Sequence, residues 1–352
     1  MRNHLLQTFI TIALLCLIGW LLVIGRSLIV PLIIALILWY IANSLSNLLR
    51  QAPKIGSFLP KPLTMILALL LMLYLLTLVF AMLSSNLQDL AGDAPEYQQR
   101  LDRLFASIST ELQLKNPIAL SDLVPNFSLT QAISTGAALI TSLAGSGSLV
   151  FIYLLFMIME AATFDKKLEA LFESKEKFAL ALAIRREIAH RMRHYLGIKT
   201  AVSLATGLLT YLLLTVVGLP YAPLFGFIAY LLNYIPTIGS LISVVFPALL
   251  SLVYFENISN FMIISLGLGS IQFVLGNVIE PRLMGNSLNI SPLVIMISLT
   301  LWGAIWGVLG MVLCIPLVVL AMIICAQFPT SRPIAILLSA NGDVGEPIKL
   351  QS

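Results

Sequence analysis

The chain has 352 residues, of which 59% are hydrophobic and 10% charged, with a mean hydropathy of +0.99 and a formal net charge of +4. A soluble domain carries about a quarter charged residues, so the composition excludes an ordinary water-soluble fold and points to a bilayer as the solvent. The positive charges are distributed among separate loops rather than gathered on one basic face, which argues against a nucleic-acid partner.

A transmembrane helix needs about 20 mainly apolar residues to cross about 30 Å of hydrocarbon. Such runs are predicted at 5–25, 28–48, 63–85, 148–164 and 198–217, followed by a nearly unbroken apolar stretch from 221 to 327. The first follows Arg2, but it is long, contains Trp20 and lacks a small-x-small cleavage site, so it reads as a retained helix and not a signal peptide. Between the second and third runs lie Arg50, Lys54 and Lys61, and the segment 165–199 carries nine Lys or Arg; the positive-inside rule places both in the cytoplasm.

The segment 86–147 carries Asp89, Asp93, Glu96, Asp102, Glu111 and Asp122 against Arg100, Arg103 and Lys115, and is expected outside. Within it Leu87, Leu90, Tyr97, Leu101, Leu104, Phe105 and Ile108 recur at helical spacing, predicting an amphipathic helix that packs on its own protein or on a neighbour. The basic segment is similarly helical, and either contacts anionic lipid headgroups or is a solvated connector. The expected organisation is three N-terminal spans in 1–85, an extracytoplasmic helical segment in 86–147 and a fourth span in 148–164. A basic cytoplasmic helix in 165–197, a transport unit with broken helices in 198–328 and a cytoplasmic tail in 329–352 complete it. Both termini then face the cytoplasm of a bacterial cell with the chain in the inner membrane.

The C-terminal third carries the unusual features. The stretch 221–253 is too long for one straight crossing, and Asn233-Tyr234-Ile235-Pro236-Thr237-Ile238-Gly239 marks its break: proline removes a backbone donor and glycine admits unusual dihedrals. Irregular backbone at membrane depth survives only where protein covers it or a watery cavity touches it. A second stretch, 291–326, is interrupted by Gly303, Gly307, Gly310 and Pro316, the candidate hinges. Two Gly/Pro-interrupted segments in corresponding positions are the sequence pointer to the inverted repeats of secondary transporters. The predicted fold is therefore an all-α polytopic membrane protein of about eight hydrophobic elements, with two Gly/Pro-broken helical hairpins in its C-terminal half that either re-enter or cross the bilayer.

Between the two breaks lies Gly276-Asn277-Val278-Ile279-Glu280-Pro281-Arg282-Leu283-Met284-Gly285. Glu280 and Arg282 either pair or cap a helix at the membrane interface, or are the costly charges that mark a functional site. Asn233 and Asn277 are amides beside helix irregularities, suited either to binding hydroxyls or an ion, or to satisfying freed backbone groups.

Other chemistry finds no pattern. Cys16, Cys314 and Cys325 all lie in apolar runs, where small buried thiols are expected and no disulfide framework is visible. His190 and His194 are one helical turn apart without a third ligand, so no metal site is expected. There is no Walker-type loop, nucleophile elbow or paired-carboxylate pattern, so neither an enzyme nor a bound cofactor is expected.

The run 231–240 around Asn233, Pro236 and Gly239, the run 276–285, and Trp302-Gly303-Ala304-Ile305-Trp306-Gly307-Val308-Leu309-Gly310 through Pro316 together resemble the autoinducer-2 exporter family. The resemblance extends through Lys199-Thr200-Ala201 and back to the paired N-terminal spans. It implies a homo-oligomer, a pentamer, with an elevator-like transport domain in the C-terminal half and export of a quorum-sensing signal. It also implies that Asn233, Pro236 and Gly239 serve one break and Asn277, Glu280, Pro281, Arg282 and Gly285 the other. The expected partners are a small polar solute, membrane lipids, and H+ or Na+ if transport is ion-coupled. The competing readings are a sodium or lithium/proton antiporter, with Glu280 or Glu160 as the titrating carboxylate, and a membrane scaffold that transports nothing.

Overall fold

The computed structural model describes residues 2–51, 60–111, 147–161, 163–172, 174–285 and 289–345, with positions 131, 134 and 135. These form helices α1 (Arg2–Ile24), α2 (Arg26–Gln51), α3 (Lys61–Glu111), α4 (Gly147–Glu160), α5 (Phe164–Ala170) and α6 (Lys175–Val217). They continue with α7 (Ala222–Leu232), α8 (Ile238–Phe255), α9 (Ile258–Phe273), a π-helical segment (Val274–Ile279) and α10 (Glu280–Met284). The last three are α11 (Pro292–Trp306), α12 (Val308–Gln327) and α13 (Arg332–Leu338). No strand occurs among the described residues, and six helical segments are long and apolar enough to cross a bilayer, with α4, α7 and α11 shorter but apolar. The protein is an all-α, multi-pass membrane protein, as its composition requires.

Two helices run through positions where the composition changes. The apolar run 63–85 and the amphipathic stretch after it are one helix, α3, and the basic stretch and the run 198–217 are one helix, α6. A shift from apolar to polar residues marks where the surrounding solvent changes, and the i→i−4 backbone bonds are indifferent to it. Elsewhere helix starts follow local chemistry. Proline sits at the first or second position of α7, α11 and α13, where no intrahelical donor is lost, and the Asn257 side chain caps α9 by accepting from the Ser259 amide.

The chain divides into two compact units. One comprises Met1–Leu69, Ser146–Arg193 and Asn286–Ser352. In it α2 packs against α4, and Ser46 donates to Thr64 Oγ1 at 3.1 Å in the interior. Helices α11 and α12 form a tightly packed hairpin, closed at its open end by residues that follow it. Ser291 N donates to Leu338 O and Ala340 N to Asn289 O, each at 3.0 Å. The predicted tail is thus, as far as residue 345, a structural part of this unit, with α13 packed on α12. The hairpin turns at Gly307, whose φ of 66° and ψ of −141° lie in a region open essentially to glycine alone. At this tip the Trp306 indole donates to Leu22 O at 3.2 Å, and the Arg26 guanidinium lies beside Gly307. Cys16 is a correction to the expectation of buried thiols: it is exposed, on a helix where Leu14, Leu17, Trp20 and Leu21 are exposed too, because lipid rather than protein solvates that surface.

The other unit comprises Leu70–Gly145 and His194–Gly285. Of the amphipathic stripe predicted on α3, Leu87, Leu90, Tyr97 and Leu101 are buried, and Leu83 and Ala94 complete it at alternating spacings of four and three. Their partners lie in the same chain, in a core with Leu214, Leu224, Phe225, Val253, Ile264 and Leu268. The remaining predicted stripe residues, Leu104, Phe105 and Ile108, have side chains outside the described set.

The break at 233–237 is the tip of a hairpin whose two outer ends return to the same stretch of α3. At the start of α7, the Tyr221 hydroxyl donates to the Asp93 carboxylate; at the end of α8, Glu256 accepts from Arg100 at 3.4 Å. Helix α8 is seven residues longer than α7, and Arg100 lies seven residues beyond Asp93, so the extra length of one arm, about 10 Å, is matched by the rise along α3. The segment 221–253 therefore begins and ends at one end of its unit.

Tyr221 makes a pH-dependent contribution at this outer contact. Burial, and then donation to Asp93, push its phenol above the ordinary value. Because the folded value is raised, the stabilisation is complete below the unfolded value of about 10 and is withdrawn as pH rises beyond it. The thermal midpoint of the detergent-solubilised protein should therefore fall between about pH 9 and about pH 11, and Tyr221→Phe should remove part of that fall. Identical alkaline slopes for the two proteins would contradict the assignment.

Candidate functional site

Helix α7 ends because Pro236 withholds a donor and Thr237 turns the chain with φ 61° and ψ −56°. Ile238 N bonds Pro236 O at 2.6 Å across this residue, closing a three-residue γ-turn of the strained, positive-φ kind. Gly239 then passes so close to the end of α7 that a Cβ would stand 1.7 Å from Leu232 O. A strained threonine followed by an obligatory glycine is backbone over-determined by its surroundings, which is commoner at functional sites than elsewhere.

The tip is fastened to a single turn of α6. Asn233 is buried and donates through Nδ2 to Ser203 Oγ at 2.9 Å, and the Tyr234 and Thr200 hydroxyls are 2.8 Å apart. One residue before Thr200, Lys199 donates to Glu280 Oε1 at 2.6 Å, with side-chain exposures of 6% and 15%. Of the ion pairs among the described residues, this is the one in which both side chains are largely buried. Glu280 is thus the partner of Lys199, and Arg282, two residues on, is exposed.

Glu280 follows directly on the π segment, in which Asn277 sits with an exposed side chain. π turns carry one residue more than the α-helix accommodates and occur frequently at functional positions. Pro281 opens α10, and Gly285 ends it with φ 51° and ψ −139°. A second polar link joins the neighbouring helices: Gln272 donates to Ser243 Oγ at 2.7 Å, and Ser243 to Ser240 O at 3.0 Å. Helices α6 and α7 approach until the Gly226 carbonyl lies 2.7 Å from where a Gly207 Cβ would be, the small-residue contact by which membrane helices pack closely.

All the predicted motif residues from Asn233 to Gly285 fall within this unit, whereas the candidate hinges Gly303, Gly307, Gly310 and Pro316 belong to the α11–α12 hairpin of the other. Gly307 is its turn, Gly310 faces Trp302 O, Gly303 contacts Met311, and Pro316 lies within α12. Sequence reasoning missed the bonding roles of Lys199, Thr200 and Ser203, and of Tyr234, Ser243 and Gln272. A signal for the first group existed: Ser203, Thr206, Gly207 and Thr210 form a small polar stripe at helical spacing inside an apolar span, with Lys199 at its end.

Polar contacts where a broken helix and a π-distorted one both meet α6, inside an apolar unit, are of the kind that marks functional positions in membrane proteins. Comparison with known proteins agrees. Residues 9–330 match the model of the AI-2E family transporter family. The chain is a member of the AI-2E transporter family. It is 30% identical over 327 residues, 90% of each chain, to the AI-2 transport protein TqsA of Escherichia coli strain K12. It is 31% identical over 299 residues to a Haemophilus influenzae relative whose name specifies transport but no solute, covering 79% of this chain and 82% of that one. The E. coli transport protein YhhT is 26% identical over 282 residues. Both irregular segments lie inside the AI-2E match.

Proposed function

We propose that this AI-2E family transporter exports autoinducer-2, a quorum-sensing signal, or a similar small hydroxyl-rich solute across the bacterial inner membrane, with both termini cytoplasmic. The observation that carries this reading is the tip turn: Asn233, Ser203, Thr200 and Tyr234 supply uncharged donors and acceptors at a helix break inside an apolar unit. Amides and hydroxyls of this kind match a neutral polyol, which would exchange each internal bond for one to the solute. The name of TqsA, with autoinducer-2 in it, supports the same solute class. Movement is proposed to be elevator-like, with the broken hairpins of 198–328 carrying the solute, in a homo-oligomer that supplies the fixed frame. Membrane lipids complete the surroundings, and a proton or sodium gradient is the available source of coupling.

The second reading, cation/proton antiport, is favoured by one feature, the Glu280 carboxylate beside the π segment. Lys199 already neutralises it, so a cation would have to displace an ammonium held at 2.6 Å, which ranks this reading second.

Purified protein in proteoliposomes decides between them. Labelled autoinducer-2 should move down its gradient, and Asn233→Ala and Ser203→Ala should each lower its flux by about tenfold or more, since each removes one side of a buried bond. Sodium-dependent proton flux without movement of the signal would overturn the exporter reading in favour of antiport. No flux of either kind would favour a scaffold.

A further inference from the structure

One turn of α6 holds both irregular segments of its unit. Thr200 and Ser203 bind the hairpin tip through Tyr234 and Asn233, and Lys199 binds the residue at which the π segment gives way to α10. The three side chains stand within five residues, so neither the tip nor the π segment can shift far from α6 while its bond is made.

The two fastenings differ in kind. The tip is held by neutral hydrogen bonds, each modest in net worth and replaceable by a solute hydroxyl. The π segment is held by opposite charges in a largely buried setting, where attraction is strong in contact and separation is costly, so two arrangements are favoured over anything between. The π segment supplies the means of separation. It holds one residue in excess of α-helical spacing, and passing that residue along the chain turns everything beyond it by about 100°, enough to swing Glu280 away from Lys199.

We propose that the Lys199–Glu280 pair is a lock that opens and closes in each transport cycle, released as the 274–279 turn converts from π to α spacing. Lys199 is then a positioning residue for transport: it sets how long the π segment stays against α6 and need not touch the solute. This rests on the reading of the chain as a solute transporter with moving helix segments.

The test weakens the lock without leaving an orphaned charge. Glu280→Asp keeps both charges but shortens one arm, and Lys199→Met/Glu280→Gln removes both charges at similar volume. Hydrogen–deuterium exchange of the wild-type protein and both variants in nanodiscs reads the lock without needing any solute. Amides of 274–284 are expected to exchange about tenfold faster or more in both variants, with the α11–α12 segment unchanged. Autoinducer-2 flux in proteoliposomes should show a maximal rate raised about threefold or more, with the half-saturating concentration within about twofold of wild type.

Unchanged exchange at 274–284 in variants that elute and melt like the wild type would overturn the proposal. Faster exchange with an unchanged or lower maximal rate would overturn it as well, since the pair would then be structural only. Faster exchange in a protein whose wild type moves no autoinducer-2 would uphold the lock as a mobile element and defeat the solute assignment instead. If the double variant fails to insert, Glu280→Asp carries the same expectations alone.

Discussion

Gly239→Ala is expected to abolish transport while the chain still inserts in the membrane. The added Cβ would stand 1.7 Å from Leu232 O, 2.6 Å from Leu232 C and 3.3 Å from Leu232 Cα. Every one of these is a backbone atom, so no rotamer relieves the overlap and the two arms of the hairpin must part at their tip. Overpacking of this kind costs about 1–3 kcal/mol in an ordinary core and more where backbone meets backbone. The parting also displaces Asn233, six residues back through the turn, and with it the bond to Ser203. Gly269→Ala, in α9, is the matched control: beyond its own turn of helix no atom lies within 4 Å of its Cβ position, and alanine is the better helix former by up to about 1 kcal/mol. Flux through Gly239→Ala falling to that of empty liposomes, with Gly269→Ala close to wild type, is the expected pair of results. A Gly239→Ala protein with wild-type flux and thermal midpoint would refute the tip geometry.

Lys199→Met and Glu280→Gln should be the most destabilising of the single charge-neutralising substitutions. Each leaves the other charge largely buried with its counter-ion gone, and breaking a buried pair from one side costs about 3–5 kcal/mol. Removing both partners should restore most of that loss, because a neutral, well-packed pair of similar volume is often as stable as the ion pair it replaces. The thermal midpoints of wild type, Lys199→Met, Glu280→Gln and the double variant form a double-mutant cycle in which the coupling energy is the measured quantity. A double variant no more stable than Lys199→Met would show that the two side chains do not interact as the geometry requires. By contrast Arg282→Gln, at an exposed position, should lie within about 0.5 kcal/mol of wild type.

The class of the protein was legible in its sequence, because burial in lipid demands apolar runs of a fixed length and little else satisfies them. So were the amphipathic stripe of α3, which repeats with the helical period, and the break at 233–239, where proline and glycine restrict the backbone locally whatever surrounds them. Local chemistry is readable because its causes lie within a few residues. The motif runs also carried the family, which the match over residues 9–330 bears out.

Only the tertiary structure decided which groups meet. Glu280 has an opposite charge two residues away in Arg282, yet its partner is Lys199, 81 residues earlier, because a two-residue step on a helix points side chains apart while a neighbouring helix points them together. The same holds for Asn233 with Ser203 and for Tyr221 with Asp93, pairs separated by 30 and 128 positions. That the segment 221–253 begins and ends at one end of its unit was likewise beyond composition, since α8 alone is long enough to cross a bilayer. It follows from where Tyr221 and Glu256 find their partners on α3, and a chain pattern records its own periodicity but not the surface against which a helix end comes to rest.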